Sequence, residues 1–592
     1  MKAIGNIWFA IKNVAAVSKS MMIRLTMCAV SNIVVTCMEL FLVKFVIDYA
    51  LSDQFHIMTM SAYLFIYCVF MILNNIYKTN IMGVYIRRFE ISMSSKMMSE
   101  IYQKSAKINL MDYDKKDFYD ELDRVMDKGA TLYFDILWNC FMLISRVIIS
   151  LCFFTVYHDA CLMIAVAVNV VIHLVLDLQM DKRNYALERQ EETYNRFEDY
   201  INRVFSENRY SQELRTSVGV KDMLLGKYDR WTEGALDRYR GYQKYLFNNT
   251  TVRSVSCYLV YLVTSVYVSN LLLHQEITVG DFLLMITVVE GQSQRLLDAF
   301  MAFPQLYQSS KYVGEVRELL DYPTMLDQDA EKEPVAEFES MEFQNVGFRY
   351  RENDSFCIHD VSFKVHKAEI VAIVGLNGSG KSTLADCMMG LLMPDSGEIK
   401  LNGRDYREYK MCDMRALFST VFQDFQIYEL SVAKNILMRE VHSQEDVNLV
   451  NAALEYVGLY EKVSAFPQGV HTVLSMSERD CGLSGGEQQL LAIARAYARQ
   501  TPVILFDEPT SALDVYMTNM FYQKLFGLRD VQKRTVLLIS HKLKYLDRAD
   551  RILFVRDGTI SGTGSHGELM RRNREYASLY QLRGEELLEG QP

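Results

Sequence analysis

Apolar residues fall into two rhythms along this chain, and the rhythm changes near position 320. Before it lie six long apolar runs, near 21–47, 57–83, 134–157, 159–179, 251–273 and 281–303, each close to the roughly 20 residues that a bilayer-spanning helix needs. Beyond it the runs shorten to strand length, as in Ile370–Val374 and Val503–Phe506, and Gly and Pro punctuate them. None of the eight prolines precedes Pro304, as long uninterrupted helices require. The pattern predicts an all-α membrane domain of six helices followed by an α/β domain, because 592 residues are too many for one core.

Charge refines this division. Segments assigned outside, Ser52–Thr59, Tyr157–Ala160 and His274–Gly280, contain no Lys or Arg, whereas Arg87–Lys128 and Lys182–Lys244 are rich in both. Basic loops stay inside, so both termini are expected in the cytoplasm and the chain in the cytoplasmic membrane. The two inner connections lack proline and read as helices extending from the bilayer, with reversals near Met111–Asp123 and Ser211–Val220. The expected layout is an amphipathic helix over 1–20, the membrane domain over 21–320, a linker over 321–337, the α/β domain over 338–583 and a tail over 584–592.

Charged groups inside apolar spans are costly and face a bundle interior or a watery cavity. Glu290, Gln294 and Asp298 recur every four residues on one face of the sixth span, Arg295 is within reach of Asp298, and Glu39 and Arg146 lie in the first and third spans. Two readings stay open for them: a polar path for a transported molecule, or structural pairing between helices. Lys44, near an outer end, is expected to snorkel.

Composition excludes some classes. A net charge of -10 without a basic stripe argues against a nucleic-acid partner. Eleven cysteines without CxxC or Cys/His ligand spacing, several inside apolar runs, read as buried hydrophobes and not as a zinc site or disulfide frame. The first twenty residues lack the short apolar run and cleavage site of a secretory signal.

The chemistry lies in the second half. Gly375–Ser382 reads G-L-N-G-S-G-K-S after a β-branched run and before a segment that can start a helix. Glycines let such a loop curl its N–H groups toward a triphosphate; Lys381 can then reach the β and γ phosphates, and Ser382 can hold Mg²⁺. The plainer alternative is a glycine-rich turn without a ligand. Leu483–Gln488 reads L-S-G-G-E-Q, a second small-residue turn that opens a helix, and one nucleotide needs only one such cradle. The run Val503–Phe506 delivers Asp507, suited to Mg²⁺, and Glu508, placed to polarise a water. Thr535–Ile539 delivers Ser540 and His541. Tyr350 ends a strand-like run and can stack on adenine.

Together these residues resemble ATP-binding cassette (ABC) exporters, specifically bacterial half-transporters with a membrane domain fused ahead of one nucleotide-binding domain. The motifs occur in the family's order: Tyr350, the phosphate loop, Gln423, Leu483–Glu487, Asp507 and Glu508, Asp514, and His541. The one departure is Glu487, where Gln is commoner. The resemblance implies ATP and Mg²⁺ as ligands, with Gly375, Asn377, Gly378, Ser379, Gly380, Lys381, Ser382 and Thr383 cradling phosphate and Ser382, Gln423 and Asp507 at the metal. Glu508 is then the catalytic base and His541 a switch residue. It further implies a second subunit in the membrane, whose Ser484, Gly485 and Gly486 close over the ATP held by Lys381. The two reversals look like coupling helices.

The function expected is ATP-driven export by a homodimer. Half of a heterodimer, a lipid or drug exporter, and an ATP-gated channel or regulator are the alternatives; an intact Glu508 counts against the last. Mixed charges in the sixth span favour a polar or peptidic cargo. No peptidase-like segment precedes the membrane half, so a peptide cargo is expected to be processed elsewhere.

Overall fold

The computed structural model describes residues 2–585 except 53–55, 114, 116–117, 119–121, 123, 127–130, 157–158, 325, 327–328, 330, 336, 351–354 and 475–481. The chain forms two compact units, one of residues 1–103 and 121–321 and the other of residues 104–120 and 322–592.

The first unit is helical. Helix α1 spans Lys2–Val17 and α2 Lys19–Ala50; α3 (Ile57–Asn80) passes through a π turn at Ile81–Tyr85 into α4 (Ile86–Ser105). Next come α5 (Thr131–Val156), α6 (Ala160–Ser206), α7 (Val218–Leu273) and α8 (Val279–Leu320). The first, fifth and sixth predicted apolar runs lie within one of these helices, the second ends inside the π turn, and the fourth starts one residue ahead of α6; the third fills α5 from Phe134 to Val156, its last position lying outside the described residues. Among the described residues, four helical segments are long and apolar enough to cross a membrane: Lys19–Ala50, Ile57–Ser105, Tyr133–Leu151 and Gly219–Leu273; Ala160–Leu176 is a shorter apolar stretch. No residue of α3 is buried, and Phe65, Ile66, Ile72, Leu73 and Ile76 are all exposed on it. An apolar surface of that extent needs an apolar surrounding.

Polar side chains tie these helices together. Lys44 does more than snorkel: its Nζ is 2.6 Å from Asp281 at the start of α8, while Asp48 accepts from the Gly280 N–H at 2.9 Å. Thr278 caps α8 in a capping box with Asp281, which fixes where that helix begins. The second predicted reversal is a nine-residue helix, Asn208–Thr216, bounded by non-helical Glu207 and Ser217, so the chain first breaks four residues earlier than Ser211.

The second unit is built on two sheets. Strands β1 (Ser340–Phe348), β2 (Ile358–His366), β4 (Ser396–Leu401) and β5 (Arg404–Asp405) form an antiparallel sheet of order β2-β1-β4-β5. Strands β3 (Ile370–Gly375), β6 (Phe418–Val421), β7 (Val503–Asp507), β8 (Thr535–Ile539), β9 (Arg551–Arg556) and β10 (Thr559–Gly564) form a sheet of order β10-β9-β3-β8-β7-β6. Its strands are parallel except β10. Both faces of β3 are covered, which is why it reads as an unbroken apolar run. Ile370, Ala372 and Val374 point into one core with Leu491, Ile493 and Leu525, while Val371 and Ile373 point into another with Leu384, Phe343 and Ile399.

Residues 104–120, which the sequence places between two membrane segments, fold with this second unit. Met111 packs at the margin of its second core, and the Phe118 ring lies 5.1 Å from Tyr322. The remainder of the first predicted reversal, at Asp114, Lys116, Asp117, 119–121 and Asp123, lies outside the described residues.

Candidate functional site

The parallel register of β3, β8 and β7 sets the site. Ile373 pairs with Ile539, and Ile539 with Asp507, so the loops leaving these three strands emerge at one sheet edge. Ligands of open α/β sheets bind at that edge. The loop after β3 leads into α9 (Lys381–Met388), capped by Gly380 at a left-handed φ of 95°. A Cβ on Gly380 would come within 2.6 Å of Ile358 Cγ2 and one on Gly375 within 2.2 Å of the Val555 carbonyl oxygen, so both positions need glycine. Asn377 and Gly378 are exposed, and Ser379 is buried with its Oγ lacking a hydrogen-bond partner among the described residues. Lys381 is buried, and its Nζ donates to the Leu376 carbonyl at 2.8 Å, which folds the side chain back over the loop.

A pair of oxygens suited to a hard cation meets here. Ser382 Oγ donates to Asp507 Oδ2 at 2.8 Å, while Asp507 Oδ1 is buried without a hydrogen-bond partner among the described residues. Burial raises the Asp507 carboxyl above its ordinary range, against the Ser382 hydrogen bond. Its neighbour Asp386 is pushed up to about 6, by burial and then by the Asp507 charge. Two carboxyls each made costlier to ionise by burial and by negative neighbours are a place that a divalent cation stabilises. Gln423 follows β6 and is exposed.

Glu508 sits at a left-handed φ of 49°, held by its N–H donating to the Ile539 carbonyl at 3.0 Å. Such backbone in a non-glycine residue is strained and turns the side chain sharply off the strand. The carboxylate meets His541 Nε2 at 2.5 Å, which joins the ends of β7 and β8 by their side chains. Tyr350 donates to or accepts from Thr383 Oγ1 at 3.0 Å, so it is tethered to α9 with part of its ring exposed. Asp514 caps helix α11 (Val515–Asp530), accepting from the Met517 N–H at 2.7 Å.

Helix α10 (Gly485–Ala498) begins at Ser484, whose side chain and that of Glu487 form a reciprocal capping box. A Cβ on Gly486 would lie 2.9 Å from the Ala512 carbonyl oxygen, whereas none of the described residues approaches Gly485. Sequence reasoning stopped one residue short of Gln489, which is fully buried. Its amide donates to the Glu508 carbonyl at 3.3 Å and Ser511 Oγ at 3.0 Å and accepts from the Ala512 N–H at 2.9 Å. That bracing joins the second turn to the segment bearing Glu508; the available signal was one amide entering an otherwise apolar run.

Among the membrane-domain candidates, Arg146 and Asp298 meet: Nη2 lies 3.6 Å from the carboxylate and Nη1 donates to the Asp298 carbonyl at 3.1 Å. This ties α5 to α8, the pairing alternative for those two residues. Glu39 is exposed on α2, and the side chains of Glu290 and Gln294 lie outside the described residues.

Residues 358–511 match the ABC transporter family. This stretch is an ABC transporter domain. Over 493 residues it is 26% identical to the subtilin transport ATP-binding protein SpaT of Bacillus subtilis, covering 82% of this chain and 79% of that one. It is 32% identical over 312 residues to an ATP-dependent lipid A-core flippase of Photobacterium profundum, and 36% over 241 residues to that of Vibrio vulnificus YJ016. The chain spans 52% and 40% of the length of those two flippases. A bacterial Atm1-family ABC exporter with ATP bound has the same fold, with a TM-score of 0.79, 21% identity, and coverage of 96% of this chain and 99% of that chain. An ABC domain binds ATP, and the apolar helices of the first unit give the chain its membrane context.

Proposed function

We infer that this ABC transporter is an ATP-driven exporter of the cytoplasmic membrane, with six spans per chain, cytoplasmic termini and two copies per working unit. The observation that carries the ATPase reading is the meeting of Ser382 with Asp507, and of Glu508 with His541, at the edge where the phosphate loop opens. Lys381 and the loop glycines hold the phosphates. Ser382 and Asp507 would hold Mg²⁺, with Gln423 beside it; the ion supplies charge neutralisation of the phosphate oxygens. Glu508 takes the proton of the attacking water, and His541 gives up the carboxylate to face the γ-phosphate.

A second copy completes the site in this reading. Among the described residues the space around Gly485 is open, so none of them demands glycine there, unlike at Gly486. Gly485→Ala is therefore expected to leave the melting temperature unchanged and to lower ATPase activity several-fold, because only the incoming phosphate needs the close approach. Gly486→Ala is expected to reduce both. Normal ATPase activity in Gly485→Ala would count against a partner-completed site.

For cargo, the subtilin relative's name points to a peptide and the flippases' names to a lipid. Subtilin transport is matched over the larger share of both chains, and this favours a peptidic or polar molecule. ATPase activity of the full chain in lipid nanodiscs, titrated with peptides, lipids and hydrophobic drugs, tests the assignment. Stimulation by peptides is expected, and stimulation by lipids alone would overturn it.

A further inference from the structure

The turn that opens α10 carries a charge for which the proposed function has no use. Ser484 N–H and Ser484 Oγ both donate to Glu487 Oε2, at 2.8 and 2.9 Å, and the Glu487 N–H donates back to Ser484 Oγ at 3.4 Å. A neutral glutamine would complete the same capping box. The carboxylate adds a full negative charge beside the hydroxyl that, on the composite-site reading above, must meet the partner's triphosphate. It also engages that hydroxyl's proton as a strong acceptor. Partial burial raises the Glu487 carboxyl, but hydrogen bonds from Lys462 and Ser484 outweigh this and hold it below its ordinary range, so it is ionised at neutral pH.

Lys462 answers both effects. It lies 25 residues upstream on the short helix Tyr460–Ser464, and its Nζ is 2.6 Å from each oxygen of the Glu487 carboxylate. The ammonium cancels the charge and draws on the lone pairs that hold the Ser484 hydroxyl. The Lys462 side chain is 41% exposed, so replacing it removes little packing.

We propose that Lys462 is a positioning residue for ATP: by pairing with Glu487 it neutralises the turn at Ser484 and frees Ser484 Oγ to turn toward the γ-phosphate held by the partner subunit. This rests on the composite-site reading. Without the ammonium, an unpaired carboxylate faces the incoming phosphates and keeps the serine proton. The damage therefore belongs to ATP engagement, and it disappears when the carboxylate is removed as well.

The test is steady-state ATPase kinetics of the full chain in nanodiscs. Lys462→Met is expected to raise KM for ATP at least about tenfold, the scale of one uncompensated charge near a surface, while kcat falls far less. Lys462→Arg keeps the charge and is expected to retain a near-native KM. The double variant Lys462→Met with Glu487→Gln is expected to return KM to within about twofold of the unmodified value. An unchanged KM in Lys462→Met overturns the proposal, as does a defect that Glu487→Gln fails to rescue, since Lys462 would then act through packing. Ser484→Ala separates the two levels. If it hydrolyses ATP normally, the composite-site reading falls and the proposal with it; if it is impaired while Lys462→Met is not, only the proposal falls.

Discussion

Replacing Glu508 by Gln is expected to leave ATP binding intact and to cut turnover by about 10²-fold or more, the usual loss when a general base is removed. Gln keeps the length and shape of the side chain, and the backbone at φ 49° is set by the Ile539 hydrogen bond and not by the carboxylate. The Gln489 amide also reaches the Glu508 main-chain carbonyl, so the bracing of this loop survives the exchange. What disappears is the negative charge that meets His541 and that the proposed mechanism uses to accept the water proton. Binding of ATP, measured at equilibrium, and single-turnover hydrolysis separate the two effects. Near-normal hydrolysis in Glu508→Gln would refute the base assignment. His541→Ala provides the complementary comparison, because it removes the partner at 2.5 Å while leaving the carboxylate in place.

The strand-loop-helix unit around Gly375 was readable in the sequence because its signals are local. A strand buried on both faces must be apolar at every position, and Ile370–Val374 meets that demand. A loop leading into a helix through a left-handed residue needs glycine, and Gly380 supplies it. The order of strands is not local, yet it decides that His541 and Asp507 lie in turn on one side of the phosphate loop. It could be reached only through the family resemblance. Side-chain partners were the least legible. Arg295 stands three residues from Asp298, yet it is Arg146, 152 residues away, that meets the Asp298 carboxylate, because α5 and α8 pack together. Lys44 with Asp281, and Lys462 with Glu487, were hidden for the same reason: each pair is made by packing between helices and leaves no periodic mark. The break at Glu207 was misplaced by four residues because Glu and Asn carry weak stop signals beside the Gly and Pro that usually mark one.

Placing two lesions on the same chain or on opposite chains of a mixed dimer is expected to give opposite results, and this decides whether two chains share each site. Lys381→Ala removes the ammonium folded over the phosphate loop, and Ser484→Ala removes the hydroxyl at the start of α10. If each ATP lies between Lys381 of one copy and Ser484 of the other, both lesions on one chain damage both sites. Turnover is then expected to fall about 10²-fold, the scale for losing one charge-stabilising group. Splitting the lesions between chains concentrates them in one site and leaves the other whole, so up to about half of the unmodified rate is expected if the sites act independently. Self-contained sites reverse the pattern, since the split arrangement then cripples each chain once while the shared arrangement spares a whole chain. Differently tagged copies purified through both tags give the mixed dimers for ATPase measurement. A chain that forms no dimer and hydrolyses no ATP when expressed alone would identify a different half-transporter as its partner, and the intact Glu508 would then serve one competent site of a heterodimer.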